Sequence, residues 1–249
     1  MIFRQLYEPL SSTYTYLLGD ETTGLAILID PVIVCMERDL AEISRLGLQL
    51  AYTIDTHIHA DHITAALELK HAVGSKIAAP AFDRLPCTDV GIEDGKMFQV
   101  GGISLEPLHT PGHTDGHFAY RCDDRIFTGD ALLIEGCGRT DFQNGDAEAL
   151  YKSVREKLFI LPDETLVYPA HDYKERFVSS IAQEKKRNPR LGGQKSLEEF
   201  KHIMANLNLP YPRFIDYAVK GNRLCGVCPS HLPENLAAYC HQMTESPQG

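Results

Sequence analysis

Three histidines and an aspartate crowd into Thr56-His57-Ile58-His59-Ala60-Asp61-His62, directly after the apolar run Leu50-Ala51-Tyr52-Thr53-Ile54. In extended chain, side chains two residues apart leave the backbone on the same side, so His57 and His59 can converge on one ion. Imidazole nitrogens and carboxylate oxygens are the donors that zinc and iron take from proteins. Asp61 and His62 follow where the loop turns into a helix suggested by Ile63, Ala66, Leu67 and Lys70. Ligand-type residues at this density mark a metal site rather than a polar surface loop.

A metal site needs ligands from several elements, so that the fold and not one loop sets its geometry. Three further stations follow strand-like runs in the same way. His113 lies in His109-Thr110-Pro111-Gly112-His113-Thr114, past Ile103–Leu108; Asp130 lies in Phe127-Thr128-Gly129-Asp130, past Arg125–Phe127. His171 lies in Tyr168-Pro169-Ala170-His171-Asp172, past Leu166–Val167. Each sits beside a Gly or Pro that re-aims the chain. His71, His202 and His241 read as ordinary histidines, and His109 and His117 as structural ones.

The elements that must hold these stations are legible from periodicity. Strands are expected at Ile2–Leu6, Tyr14–Leu18, Leu25–Ile29, Leu50–Ile54 and Lys76–Ala79. A second batch is expected at Met97–Val100, Ile103–Leu108, His117–Arg121, Arg125–Phe127 and Leu166–Tyr168. Helices are predicted over Cys35–Leu46, from the histidine loop to Ala72, and over Ala147–Lys157, Tyr173–Arg187 and Ser196–Asn206. Ser196 and Glu199 stand in capping-box spacing at the start of the last helix. Two packed sheets with helices outside satisfy this pattern. One domain is expected over residues 1–249, with 188–249 as a C-terminal cap or extension.

Composition narrows the partners. The 249 residues are 43% hydrophobic and 23% charged, with a net charge of −10, which disfavours nucleic acid or an anionic membrane as partner. The N-terminus lacks a charged leader followed by an apolar stretch, and no run reaches membrane-spanning length, so a cytoplasmic protein is expected. Seven cysteines form an odd set without framework spacing and read as reduced thiols. Cys225-Gly226-Val227-Cys228 is the one Cys-x-x-Cys, and a zinc ribbon would need a second.

The set His57-x-His59-x-Asp61-His62, His113, Asp130 and His171 resembles the metallo-β-lactamase superfamily over about residues 1–175. That resemblance implies an α/β fold, the αββα sandwich. In hydrolases of the family, His57, His59 and His113 would hold one metal, Asp61, His62 and His171 a second, and Asp130 would bridge. The string Gly136-Cys137-Gly138-Arg139-Thr140-Asp141-Phe142-Gln143, with Tyr173 and the Asn188-Pro189-Arg190-Leu191 stretch, looks like the persulfide dioxygenases, over nearly the whole chain.

This second resemblance implies one Fe(II) held by His57, His113 and Asp130, which leaves coordination positions open for a sulfur substrate and O2. His59, Asp61, His62 and His171 would then orient ligands and handle protons, or be a vestigial second metal site. The implied reaction takes glutathione persulfide, O2 and water to sulfite and glutathione. Arg139 would grip a substrate carboxylate, Tyr173 would hydrogen-bond substrate or a metal-bound species, and Asp141 would support Arg139, Tyr173 or a ligand histidine; Arg190 and Arg223 are weaker candidates. The reading leaves room for a homodimer. The alternative is a glyoxalase II-like hydrolase of glutathione thioesters with a binuclear metal site.

Overall fold

The first apolar runs become strands β1 (Ile2–Glu8), β2 (Thr13–Gly19) and β3 (Leu25–Ile29) in the computed structural model, which describes residues 1–240. The chain continues through α1 (Met36–Arg45), β4 (Gln49–Ile54), α2 (Ala66–Val73), β5 (Lys76–Pro80), β6 (Val90–Ile92), β7 (Phe98–Val100), β8 (Ile103–His109), β9 (Phe118–Cys122) and β10 (Arg125–Gly129). Then come α3 (Ala147–Lys152), β11 (Leu166–Pro169), β12 (Ser179–Ser180), α4 (Ile181–Arg187), α5 (Leu197–Ala205) and α6 (Ile215–Asn222). Two six-stranded sheets result, ordered β1-β2-β3-β4-β5-β6 and β12-β11-β10-β9-β8-β7. Among the described residues, no helix is long and apolar enough to cross a membrane.

The chain divides into two compact units. The first comprises Met1–Gly91, Val100–Ile103 and the described residues from Pro212 onward; the second comprises Ile92–Gln99 and Ser104–Tyr211. In the first, β1, β2 and β3 are antiparallel neighbours, while β3, β4 and β5 run parallel. Parallel neighbours need a crossover, and α1 and α2 supply the two. Met36, Leu40 and Ile43 share one face of α1 and pack on Leu17, Leu28 and Leu69, joined by Phe214 of the C-terminal segment. Burying a side chain such as Ile43 contributes about 1.5–3 kcal/mol. Register places Ile29 opposite Ile54, so Asp30 and Asp55-Thr56 leave the sheet side by side.

In the second unit β8, β9 and β10 form an antiparallel run, with β11 parallel to β10. Residues of β8 alternate between buried and half-buried up to Leu108, as one covered face requires. Asp146 caps α3, and Ser196 with Glu199 forms the capping box that their spacing predicts for α5. Ile126, Leu150, Val154, Val167, Ile181 and Phe200 make this unit's own core.

Three expectations change. The helix expected from Tyr173 begins only at Ile181, because Glu175 and Phe177 take left-handed backbone (φ 54° and 64°). There Arg176 reaches Glu135 Oε2 (2.9 Å) and the Ile134 carbonyl (2.6 Å), which tie this segment to the chain before it, and pairs with Asp172 Oδ1 (2.9 Å). The helix expected over Ala147–Lys157 splits into α3 and a π-helical stretch, Ser153–Leu158. The cysteines are not all reduced: Cys87 pairs with Cys225 and Cys228 with Cys240, with Cα atoms 6.3 and 6.0 Å apart. Neither bond joins the two cysteines of the Cys-x-x-Cys, and 138 residues separate the first pair, which spacing in sequence cannot reveal. Cys35, Cys122 and Cys137 are buried and take part in neither disulfide.

Two measurements follow from these packing facts. Thiol titration of the denatured, unreduced protein should count Cys35, Cys122 and Cys137 alone, and a count near seven would remove both cross-links. The second concerns Asp39, buried on α1, which takes both Arg38 hydrogen bonds on Oδ1 (2.9 and 2.8 Å) and leaves Oδ2 without one. Burial, opposed by Arg38, pushes this carboxyl from 3.8 up to about 6. The folded state therefore keeps a proton that the unfolded chain releases. The associated stability is full below the unfolded value and is lost as pH rises through the folded one. Urea unfolding should show stability falling by about 2–3 kcal/mol between about pH 4 and pH 7. Asp39→Asn should flatten that slope, and an unchanged slope in the variant would assign it elsewhere.

Candidate metal centre

In the first unit the loop after β4 carries His57, His59, Asp61 and His62. The rings of His57 and His59 lie 4.1 Å apart and those of His59 and His62 4.3 Å apart, so the three imidazoles sit side by side. What aims them is a residue that sequence reading passed over. Asp30, at the end of β3, accepts hydrogen bonds from Thr56 N (2.7 Å) and Thr56 Oγ1 (3.0 Å) and pairs with His59 Nε2 (3.0 Å). Thr56 Oγ1 in turn lies 2.9 Å from His57 Nδ1, which points the other ring nitrogen away from the strand ends.

Asp30 is 1% exposed and adopts φ 51°, a conformation Asp tolerates better than most residues. The only sequence sign was an aspartate closing a strand before Pro31. Burial by itself would push the His59 imidazolium down. Asp30, by charge and hydrogen bond, with Asp55 and Asp61, outweighs that and holds His59 up at about 9. Burial likewise lifts the Asp55 carboxyl to about 7, against His59.

His59, Asp61 and His62 each offer one ligand atom, all within 4.8 Å of one another. His59 Nδ1 is buried with no hydrogen-bond partner, a position that a cation would satisfy on displacing the ring proton. Thr13 Oγ1 donates to Asp61 Oδ2 (3.1 Å) and lies 3.3 Å from His62 Nδ1, so β2 also steadies the loop.

The second unit assembles His113, Asp130 and His171. Asp130 stands between the two rings, its Oδ2 3.4 Å from His113 Nε2 and its Oδ1 3.6 Å from His171 Nε2. These separations exceed a hydrogen bond and suit donors that share an ion with bonds of about 2.1 Å. Asp130 Oδ1 is buried with no hydrogen-bond partner. The donor set therefore fits a metal.

His113 Nδ1 donates to the Arg139 carbonyl oxygen (2.7 Å), which fixes the tautomer and leaves Nε2 as the lone pair. Gly138 allows this contact, since a Cβ there would lie 2.6 Å from the Asp130 carbonyl and 2.7 Å from His113 Nδ1. The Gly-Cys-Gly-Arg string thus has a steric reason beside the ligands. His117, read as structural, reaches the site too: its Nε2 accepts the Asp130 backbone N–H (3.0 Å) while Nδ1 lies 2.8 Å from Thr110 Oγ1. The Gly-His-Thr-Asp-Gly-His spacing that puts His117 four residues past His113 was the available signal.

Arg139 makes a two-pronged pair with Asp141 (Nε to Oδ1 2.6 Å, Nη2 to Oδ2 2.7 Å), and Nη1 donates to the Pro210 carbonyl (2.8 Å). Its hydrogen bonds hold the Asp141 carboxyl below the usual carboxylate range, against desolvation. Tyr173 is 70% exposed and stacks on His171, with centroids 6.0 Å apart. Arg190 Nη1 is engaged with the Cys137 carbonyl (2.6 Å), and Arg223 lies exposed on the surface.

Asp30→Ala and His117→Ala should each weaken metal binding about 10- to 100-fold, although neither residue is a proposed ligand. Competition against a chromophoric chelator measures this. Wild-type affinity in both variants would mean that the ligands are held by other contacts.

The metallo-β-lactamase superfamily model matches residues 9–171. Human mitochondrial persulfide dioxygenase ETHE1 is 48% identical over 231 residues, spanning 91% of this chain and 89% of that protein. The crystal structure of ETHE1 from Myxococcus xanthus aligns with a TM-score of 0.89 at 54% identity, covering 91% of this chain and all of that one. Hydroxyacylglutathione hydrolase of Methylococcus capsulatus is 38% identical over 179 residues, 69% of this chain and 68% of that protein. The two mixed sheets, each with its own helices, are those of the αββα fold, and the chain belongs to the persulfide dioxygenase family of the metallo-β-lactamase superfamily.

Proposed function

We propose that this enzyme oxidises glutathione persulfide, with one O2 and one water, to sulfite and glutathione, and that it does so with a single Fe(II) held by His57, His113 and Asp130. The observation that carries the reading is the extent of the match to ETHE1, 91% of the chain against 69% for the hydrolase. Two imidazoles and one carboxylate are the donors of mononuclear iron oxygenases, and ferrous iron so held supplies open positions for both substrates and an electron that zinc cannot.

The chain's own groups have separable tasks. Thr56 and the Arg139 carbonyl oxygen orient His57 and His113, each through Nδ1, which leaves Nε2 of each as the atom that would hold the ion. His117 secures Asp130 through its backbone N–H. His59, Asp61, His62 and His171 surround the site as proton carriers, with His59 Nε2 already paired to Asp30. The tripeptide brings two carboxylates. Arg139 uses three of its N–H groups on Asp141 and Pro210, so Asp141 sets the plane in which the rest of the guanidinium meets a carboxylate. Tyr173, exposed above His171, is placed to hydrogen-bond substrate. We place the enzyme in the cytoplasm; the mammalian relatives are named as mitochondrial, and fractionation of the source cells decides between them.

A second reading has a specific support: His59, Asp61, His62 and His171 complete the donor set of a two-metal thioester hydrolase, the activity named for the more distant relative. Oxygen uptake by iron-loaded protein on adding glutathione persulfide, with S-lactoylglutathione run in parallel, separates the two. Rapid uptake with sulfite appearing is expected, and His113→Ala should lose iron retention and uptake together. Thioester hydrolysis without oxygen uptake would transfer the site to the hydrolase.

A further inference from the structure

The last residue of α6 reaches back to the histidine loop. Asn222 is 3% exposed, and its side-chain amide is fully used there. Nδ2 donates to the carbonyls of His59 (2.9 Å) and His62 (2.8 Å), and Oδ1 accepts from Thr64 N (2.9 Å). Two carbonyl acceptors and one N–H donor leave a single orientation for the amide. The two carbonyls belong to the residues that bracket Asp61 in the cluster His59-Asp61-His62. One amide therefore sets the separation of His59 and His62 from the backbone side, while Asp30 and Thr13 act from the side-chain side.

The chain beyond Asn222 is itself tied to the same loop. Leu67 N donates to the Cys225 carbonyl (3.0 Å), and Gly226 approaches the Thr64 carbonyl so closely that a Cβ would run into it. Cys225 is bonded to Cys87. The chain just past α6 is thus anchored beside the contact of Asn222 with the loop.

We propose that Asn222 is a positioning residue for the metal centre, holding from the backbone side the His59–His62 segment of the loop that also carries His57. This rests on the metal-dependent reading of the site. A purely structural asparagine would add stability to the unit and leave ion affinity alone.

The test measures cobalt(II) dissociation constants by chelator competition, together with the melting temperature of the metal-free full-length chain. It compares Asn222→Ala, the isosteric Asn222→Asp and a control, Ile43→Ala, which removes core packing on α1. Asn222→Asp keeps the acceptor for Thr64 N but turns an oxygen on the two carbonyls. The expected result is a dissociation constant raised about 10- to 100-fold in both Asn222 variants and unchanged in the control, even where the control melts as early. Unchanged affinity in the Asn222 variants, or an equal loss in Ile43→Ala, would overturn the proposal. So would failure of both Asn222 variants to fold with cobalt present, which would make the residue a folding determinant. Wild-type protein that binds cobalt, yet takes up no oxygen with persulfide when iron-loaded, would reject the oxygenase reading and leave this inference standing.

Discussion

A single buried carboxylate sets the order of the histidine loop. Asp30 meets Thr56 twice and His59 once inside the first unit, where water cannot substitute for any of the three contacts. Removing it would leave buried donors unsatisfied at about 1–3 kcal/mol each. The contacts exist because β3 and β4 run parallel and in register, so that both strands end at the same level. Catalytic groups in sheet-based folds collect at such ends for this reason: the rigid ladder fixes the start of each loop, and one polar bridge between neighbouring loops does the rest.

The second unit solves the same problem without a shared carboxylate. There the turns that carry His113 and Asp130 are held by main-chain partners: the Arg139 carbonyl for His113, and the Asp130 N–H presented to His117. Main-chain partners tolerate changes of side chain but demand close approach, which is why Gly138 cannot be another residue. Arg139 then serves twice, its backbone aiming a ligand histidine while its side chain pairs with Asp141. A change at this position need not remove the first function, because the carbonyl stays.

Much of this was legible in the sequence. The candidate stations stood out because each combined a donor side chain with a strand end, two signals that chance seldom superposes. Most strands were legible because elements such as β3, β4 and β8 follow apolar patterns set by their own burial, whereas the short β6 and β12 carry no such pattern. What escaped had no local signature. Asp30, His117 and Asn222 are ordinary residues until the fold brings them against a loop 26, 13 or 160 positions away. The missed start of α4 has another cause, since Tyr173–Ser180 has adequate helical periodicity but is captured by Arg176 and by pairing with β11. The cysteine pairs escaped because cross-links between distant residues depend on tertiary proximity alone.

The Cys87–Cys225 bond encloses every residue of the second unit within one covalent ring. Loop-closure entropy for a ring of this size disfavours the unfolded chain by an amount on the order of 5 kcal/mol. The second unit can therefore lose its order while its two ends remain leashed to the sheet that bears the histidine loop. A protease that cut any exposed turn inside the ring would convert one chain into two that migrate together until reduced. Integrity of the ring and integrity of the peptide chain are thus separate properties of this enzyme.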